Sequence, residues 1–233
     1  MYDQRSIFQR TILLVGEANF RRISQKRVIV FGVGGVGSWC AESLIRSGIR
    51  QIALVDYDVV AVSNINRQLP ANQHTIGYSK VEVLKEHFLT IYPDADIRVF
   101  SQSYNAETAS SFLLDDYDYV IDAIDNVKDK SLLIRSACES KATLFSSMGA
   151  ALKMDSTRIK ISEFWKINYD PLARALRQRF KEDGKPTRKF QCVYSEERLR
   201  NQIPDKANGT FMHVTASFGL ALAGLVIQDV IEN

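Results

Sequence analysis

The chain has 233 residues, 45% of them hydrophobic and 24% charged, with a formal net charge of +3. This predicts one soluble globular domain able to bury a core without staples, and it excludes fibrous, collagen-like and disordered classes. The three cysteines, Cys40, Cys138 and Cys192, stand apart with no Cys-x-x-Cys pair, which fits a reducing cytoplasm and excludes a tetra-cysteine zinc site from this chain.

The N-terminal residues Met1 to Arg5 lack the apolar core of a signal peptide. Arg27 to Phe31 is β-branched and apolar, a buried parallel strand. A Gly-rich turn follows, and Ser38 to Ser47 reads as a helix stopped by Gly48. Gln51 to Val55 is the second strand and Lys80 to Tyr92 an amphipathic helix. Ile97 to Phe100 is the third strand and Ala106 to Leu114 a short helix. Tyr119 to Asp122 is the fourth strand, Asp129 to Lys141 a helix and Thr143 to Ser147 the fifth strand. This β-α alternation specifies an α/β fold, a Rossmann-like doubly wound, mainly parallel sheet.

Beyond Gly149 the pattern changes. Arg158 to Ser162 alternates like a half-exposed strand, Pro171 to Lys181 is a basic helix with Pro in its first turn, and 182–189 is a charged loop. Residues 163–208 form a basic insertion or lid within a single 1–233 domain. From Lys166 to Arg200 ten basic residues face five acidic ones, a net +5, so the rest of the chain is mildly acidic. A basic module of this kind suits a polyanion. Val214 to Ile231 is apolar and barely long enough to span a membrane; its polar residues favour a buried core or dimer helix, so membrane attachment is not expected.

The strongest local signal is Gly32-Val33-Gly34-Gly35-Val36-Gly37 between a strand and a helix. Such glycines bring backbone amides and a helix N-terminus up to a phosphate, and Asp56 at the end of the next strand is placed for a ribose. Arg67, Lys80 and Asp125 at neighbouring strand ends suit a triphosphate with Mg²⁺, the cations holding phosphates and the carboxylate holding the metal. A hydride-transfer enzyme needs no such clamp. Cys40, Cys138, Trp39 and Trp165 read as packing residues, and Cys192 as structural. His74, His87 and His213 show no metal-ligand spacing.

With Asp56-x-Asp58, Ser63-Asn64-x-x-Arg67-Gln68, Lys80 and Asp122-x-x-Asp125-Asn126, the chain resembles the ubiquitin-activating-enzyme-like adenylyltransferases over residues 8 to 160. The resemblance implies ATP and Mg²⁺ as cofactors, a cytoplasmic homodimer and a carboxylate that attacks the α-phosphate of ATP. It implies that Gly32, Gly34, Gly35, Gly37, Asp56 and Asp58 hold the adenosine, with Ser63, Gln68 and Asn126 beside them. It further implies that Asn64, Arg67 and Lys80 contact the phosphates, that Asp125 binds the metal, and that Arg10 reaches into the partner subunit's site. Ile7 stands where relatives often carry a second arginine.

Within that family the chain is most similar to the tRNA threonylcarbamoyladenosine dehydratases. The features are Ser147 to Ala151, Pro171-Leu172-Ala173-Arg174, Cys192 to Glu196 and Phe211 to Gly219. This implies a tRNA partner rather than DNA, contacted by Arg174, Arg177 and Lys181 on one helical face. It admits a sulfur-relay protein as a further partner. Two other readings stay open. One is an adenylyltransferase for a ubiquitin-like sulfur carrier; the other is a non-catalytic nucleotide module or oxidoreductase on the same fold.

Overall fold

The structure, a computed structural model, describes residues 4–205 and 207–233. Seven strands form one sheet: β1 (Arg27–Phe31), β2 (Gln51–Val55), β3 (Asp96–Phe100), β4 (Tyr119–Asp122), β5 (Thr143–Ser147), β6 (Ile159–Glu163) and β7 (Gln191–Ser195). Their order is β3-β2-β1-β4-β5-β7-β6. All neighbours are parallel except β6, which runs antiparallel to β7. The chain winds outward from β1 to β3, then returns to β4 on the other side of β1. That reversal opens a crevice beyond the carboxyl ends of β1 and β4, where ligands of open α/β sheets sit. The expected fold class is borne out.

The helices are α1 (Gln4–Ile7), α2 (Gln9–Gln25), α3 (Gly37–Arg46), α4 (Lys80–Ile91), α5 (Val127–Glu139), α6 (Pro171–Asp183) and α7 (Met212–Glu232). They cover both faces of the sheet, which is why the central strands are apolar throughout. Side chains alternate between the two layers. Val28, Val30 and Leu54 pack with Leu44 and Phe218 on one face. Ile29, Phe31 and Val55 pack with Leu133 and Leu176 on the other.

Long and apolar enough to cross a membrane, α7 instead packs into the core. Val214, Phe218, Leu222, Val226 and Val230, each four residues from the next, are all buried. Gly219 lets α3 and α7 meet backbone to backbone: a Cβ there would collide with the Val36 carbonyl and lie 2.8 Å from the Cys40 amide nitrogen.

Three elements differ from the sequence expectation. In place of a helix over 106–114 there are two 3-10 turns, Ala109–Phe112 and Leu114–Asp116, separated by Leu113 in the left-handed region at φ 47°. The helix α2 was not foreseen; it is kinked at Gly16, whose φ is 81° and ψ 160°. Nor was β7, which lies inside the sheet between β5 and β6. The 163–208 segment therefore supplies an interior strand as well as the basic helix.

Candidate active site

A cavity of about 1180 Å³ fills the crevice. Its floor is the turn between β1 and α3. Gly32 adopts φ 81°, and a Cβ there would stand 2.8 Å from the Ala123 carbonyl oxygen of the facing loop. Gly34 and Gly35 line the cavity. Gly37 does not; its missing Cβ leaves room for the Gly32 carbonyl, so it shapes the turn from behind. No side chain caps α3, and of its first amides Ser38 N turns back onto the loop, donating to Gly34 O at 3.2 Å.

Asp56 braces the turn. Its Oδ2 accepts from Val33 N at 2.9 Å and its Oδ1 from Asp58 N at 2.9 Å. Burial raises its pKa, against the opposing pull of the Lys80 charge and these amides. Lys80, at the start of α4 and almost fully buried, donates to Asp58 Oδ2 at 2.7 Å. Both line the cavity.

The turn after Val62–Asn64 brings in Asn64, Arg67 and Gln68. Asn64 Oδ1 accepts from Ala61 N at 3.0 Å, fixing the turn. Arg67 is steadied by its Nη1 donating to Ser63 O at 2.7 Å and by Trp39 Nε1 donating to its carbonyl at 3.0 Å. Gln68 is buried, and its Oε1 has no partner among the described residues.

On the opposite side the loop after β4 carries Asp125 and Asn126. Asp125 is exposed and makes no hydrogen bond or ion pair with the described residues. Beneath it Asp122 is fully buried. Asp122 Oδ2 meets Lys130 Nζ at 2.7 Å and accepts from Ser146 Oγ at 2.7 Å, while Lys130 also donates to Ile124 O at 3.0 Å. This pair holds the loop and occupies Asp122, while Asp125 stays free for a cation, with Asp129 also on the cavity lining. Asn126 Oδ1 is spent as the N-cap of α5, accepting from Lys128 N and Asp129 N.

The far wall comes from the basic segment. Lys153, Arg174, Glu197, Arg198 and Arg200 line it. Lys153, Asp170 and Glu197 are buried polar groups that the sequence reading missed. Lys153 Nζ donates to Ser195 O at 3.0 Å and Glu197 O at 2.9 Å. Glu197 Oε2 accepts from Met154 N at 3.0 Å and Asp155 N at 2.9 Å, and Asp170 Oδ1 accepts from Ala173 N at 2.9 Å. Burial lowers the pKa of Lys153 and raises that of Asp170. No local motif could have joined these residues, because the fold brings them together from three separate segments.

Several expected residues lie elsewhere. Ser63 does not line the cavity; its backbone carbonyl orients Arg67. Arg177 does not face outward with Arg174. Its Nη2 donates to Phe164 O at 2.8 Å and Ile167 O at 2.6 Å, and its guanidinium covers the Phe164 ring. Its donors bind the protein's own backbone, so it is removed from the tRNA-contact set. Lys181 is exposed but off the cavity wall, and Arg10 lies on the exposed side of α2 away from this cavity. Cys192 is fully buried in β7, and burial pushes its thiol well above the usual range, so it is structural.

The model of the ThiF family matches residues 8–232. A tRNA threonylcarbamoyladenosine dehydratase of Bacillus subtilis is 38% identical over 97% of this chain and 95% of its own. One of Haemophilus influenzae is 37% identical over 91% of this chain and 88% of its own. The crystal structure of the Escherichia coli tRNA N6-threonylcarbamoyladenosine dehydratase with AMP superposes with a TM-score of 0.92 at 34% identity, covering 98% and 95% of the two chains. The same enzyme has been solved with ATP, with a TM-score of 0.91.

Proposed function

The chain belongs to the ThiF family, and from that premise we infer its reaction: ATP-dependent dehydration of threonylcarbamoyladenosine in tRNA. The observation that carries this is a single cavity joining a glycine-turn nucleotide floor to a basic wall. One half suits ATP and the other a polyanionic substrate.

The residues divide the work as follows. The 32–35 turn and Asp56 seat the nucleoside, with lone pairs of Asp56 left for ribose hydroxyls. Arg67 and Lys80 neutralise the phosphates and the pyrophosphate that leaves. The threonyl carboxylate is already ionised and needs no general base, so positioning and charge neutralisation lower the barrier. It attacks the α-phosphate and forms an acyl-adenylate. A nitrogen of the same modification then attacks the acyl carbon and loses its proton, and AMP departs with the carboxylate oxygen. The net change is loss of one water from the nucleoside.

Mg²⁺ fits this site. Among the described residues no group of three His, Cys, Asp or Glu side chains could hold a metal. Mg²⁺ bound with phosphates needs only one or two carboxylates, and Asp125 supplies one with no competing partner. When bound, the ion neutralises phosphate charge.

The homodimer is part of the same reading. Leu13 and Leu14 on α2 are 74% and 85% exposed, on the helix that carries Arg10. Exposed leucines beside an arginine that misses its own cavity suit a partner copy whose site Arg10 enters. Arg174 on the wall and Lys181 beyond it remain the tRNA contacts of α6. A tRNA substrate supports a cytoplasmic location.

The deciding experiment is mass spectrometry of nucleosides after incubating threonylcarbamoyladenosine-containing tRNA with the protein, ATP and Mg²⁺. The reading expects loss of one water, dependent on ATP and absent in Asp125→Ala, whose melting temperature stays within a few degrees of the parent. Unchanged tRNA, with pyrophosphate exchange elicited by a ubiquitin-like carrier, would instead establish the carrier-activating reading.

A further inference from the structure

We propose that Tyr169 and Arg198 form a shelf on which a nucleobase next to the modified adenosine stacks; the proposal rests on the tRNA dehydratase reading. Among the described residues only three non-glycine residues have positive φ; of these Leu152 at 57° lines the far side of the cavity, and Tyr169 at 63° precedes the lining residues Pro171 and Leu172 by two and three positions. Consecutive residues hold both carbonyls: Arg198 Nε donates to Tyr169 O at 2.8 Å and Leu199 N donates to Leu152 O at 3.2 Å. A non-glycine residue persists in that region only where its surroundings over-determine it, and such residues gather at functional sites.

Core packing does not explain Tyr169. Its side chain is 65% exposed, although it precedes the buried Asp170 that caps α6. The Arg198 guanidinium lies 5.2 Å from the ring centroid, so one face carries a cation and most of the ring remains open. Arg198 also lines the cavity, as do Arg174 and Arg200. Tyr169 is not itself on the cavity lining, but its contact with the lining Arg198 sets the ring beside the mouth, and the lining cations continue inward from there.

An adenosine beside the anticodon belongs to a single-stranded loop. To bring its threonyl group to the α-phosphate it must enter the cavity, which leaves its neighbour on the strand at the rim. Unpaired RNA bases are held by stacking on aromatic rings and arginine planes. The Lys153 network keeps the shelf rigid, because it ties the end of β7 to the 153–155 segment.

The test uses an anticodon stem-loop bearing the modification, with 2-aminopurine at the adjacent position. The wild-type protein and Tyr169→Phe should quench the probe on binding, and Tyr169→Ala should not. In turnover, Tyr169→Ala should raise KM for the stem-loop about tenfold with little change in kcat, and Phe should restore it. The alanine shares the tyrosine's backbone strain, so its melting temperature should match the parent. Quenching by Tyr169→Ala equal to wild type, or an unchanged KM, overturns the shelf. Wild-type quenching without dehydration keeps the shelf and removes the dehydratase reading. Absence of quenching by the wild type removes the shelf whatever the turnover.

Discussion

Asp122 and Asp125 stand three residues apart in opposite environments. Asp122 is sealed against Lys130 and Ser146; Asp125 has no partner among the described residues and lines the cavity. Removing the lysine would leave a buried carboxylate uncompensated. Lys130→Met should therefore cost about 3–5 kcal/mol in urea denaturation. Adding Asp122→Asn should recover part of that loss, whereas simple additivity of the two substitutions would show that the residues are not coupled. Asp56 yields a pH prediction. Its pKa is raised, chiefly by burial, so it protonates before an ordinary carboxylate as pH falls. A protonated Asp56 loses acceptor capacity for the ribose. ATP affinity measured against pH should fall on an acid limb above the usual aspartate range, and Asp56→Asn should flatten that limb. These local roles were legible in sequence because a glycine turn, an acid at a strand end and a lysine opening a helix each carry their chemistry in neighbouring residues. Arg177 was misread because helical spacing fixes which side chains share a face but not what covers that face. Here Phe164 and Ile167 cover it.

The same limit acts on whole elements. The parallel strands β1, β2, β4 and β5 were read at their observed bounds, since buried strands are continuous apolar runs. In contrast, β7 opens on the exposed Gln191 in the most basic part of the chain. Nothing local says that Gln191 to Ser195 enters the sheet beside β5; that pairing is set by contacts some 45 residues back, such as Ser146 opposite Cys192. The α2 helix escaped notice because Gly16 interrupts it and its leucines are exposed. Between α3 and α7 the decisive position is Gly219, whose absent side chain admits the Val36 carbonyl. Gly219→Val should cost about 1–3 kcal/mol by overpacking, seen as a lower melting temperature. Because Gly35 lies against Thr215 on the same helix, ATP affinity should weaken in parallel. Unchanged stability would mean that the two helices separate freely.

At the scale of the assembly, Arg10 and Asp125 test where the site is completed. Each alanine variant alone should be inactive. If Arg10 serves the partner's cavity, a mixed dimer of Arg10→Ala and Asp125→Ala contains one intact site, so mixing and refolding the two should restore part of the turnover. No recovery in a dimer confirmed by sedimentation would place Arg10 in its own subunit's function or in none.

The backing of the glycine turn has a consequence in time. Residues 32–37 are made early, but Thr215 and Gly219, against which Gly35 and Val36 rest, belong to α7, which is made much later. While the ribosome still holds that helix, the nascent chain has the turn without its support. Nucleotide capture should therefore begin only once that helix has emerged and packed, so a polypeptide still lacking it would neither sequester ATP nor engage the tRNAs crowded around the machine that is making it.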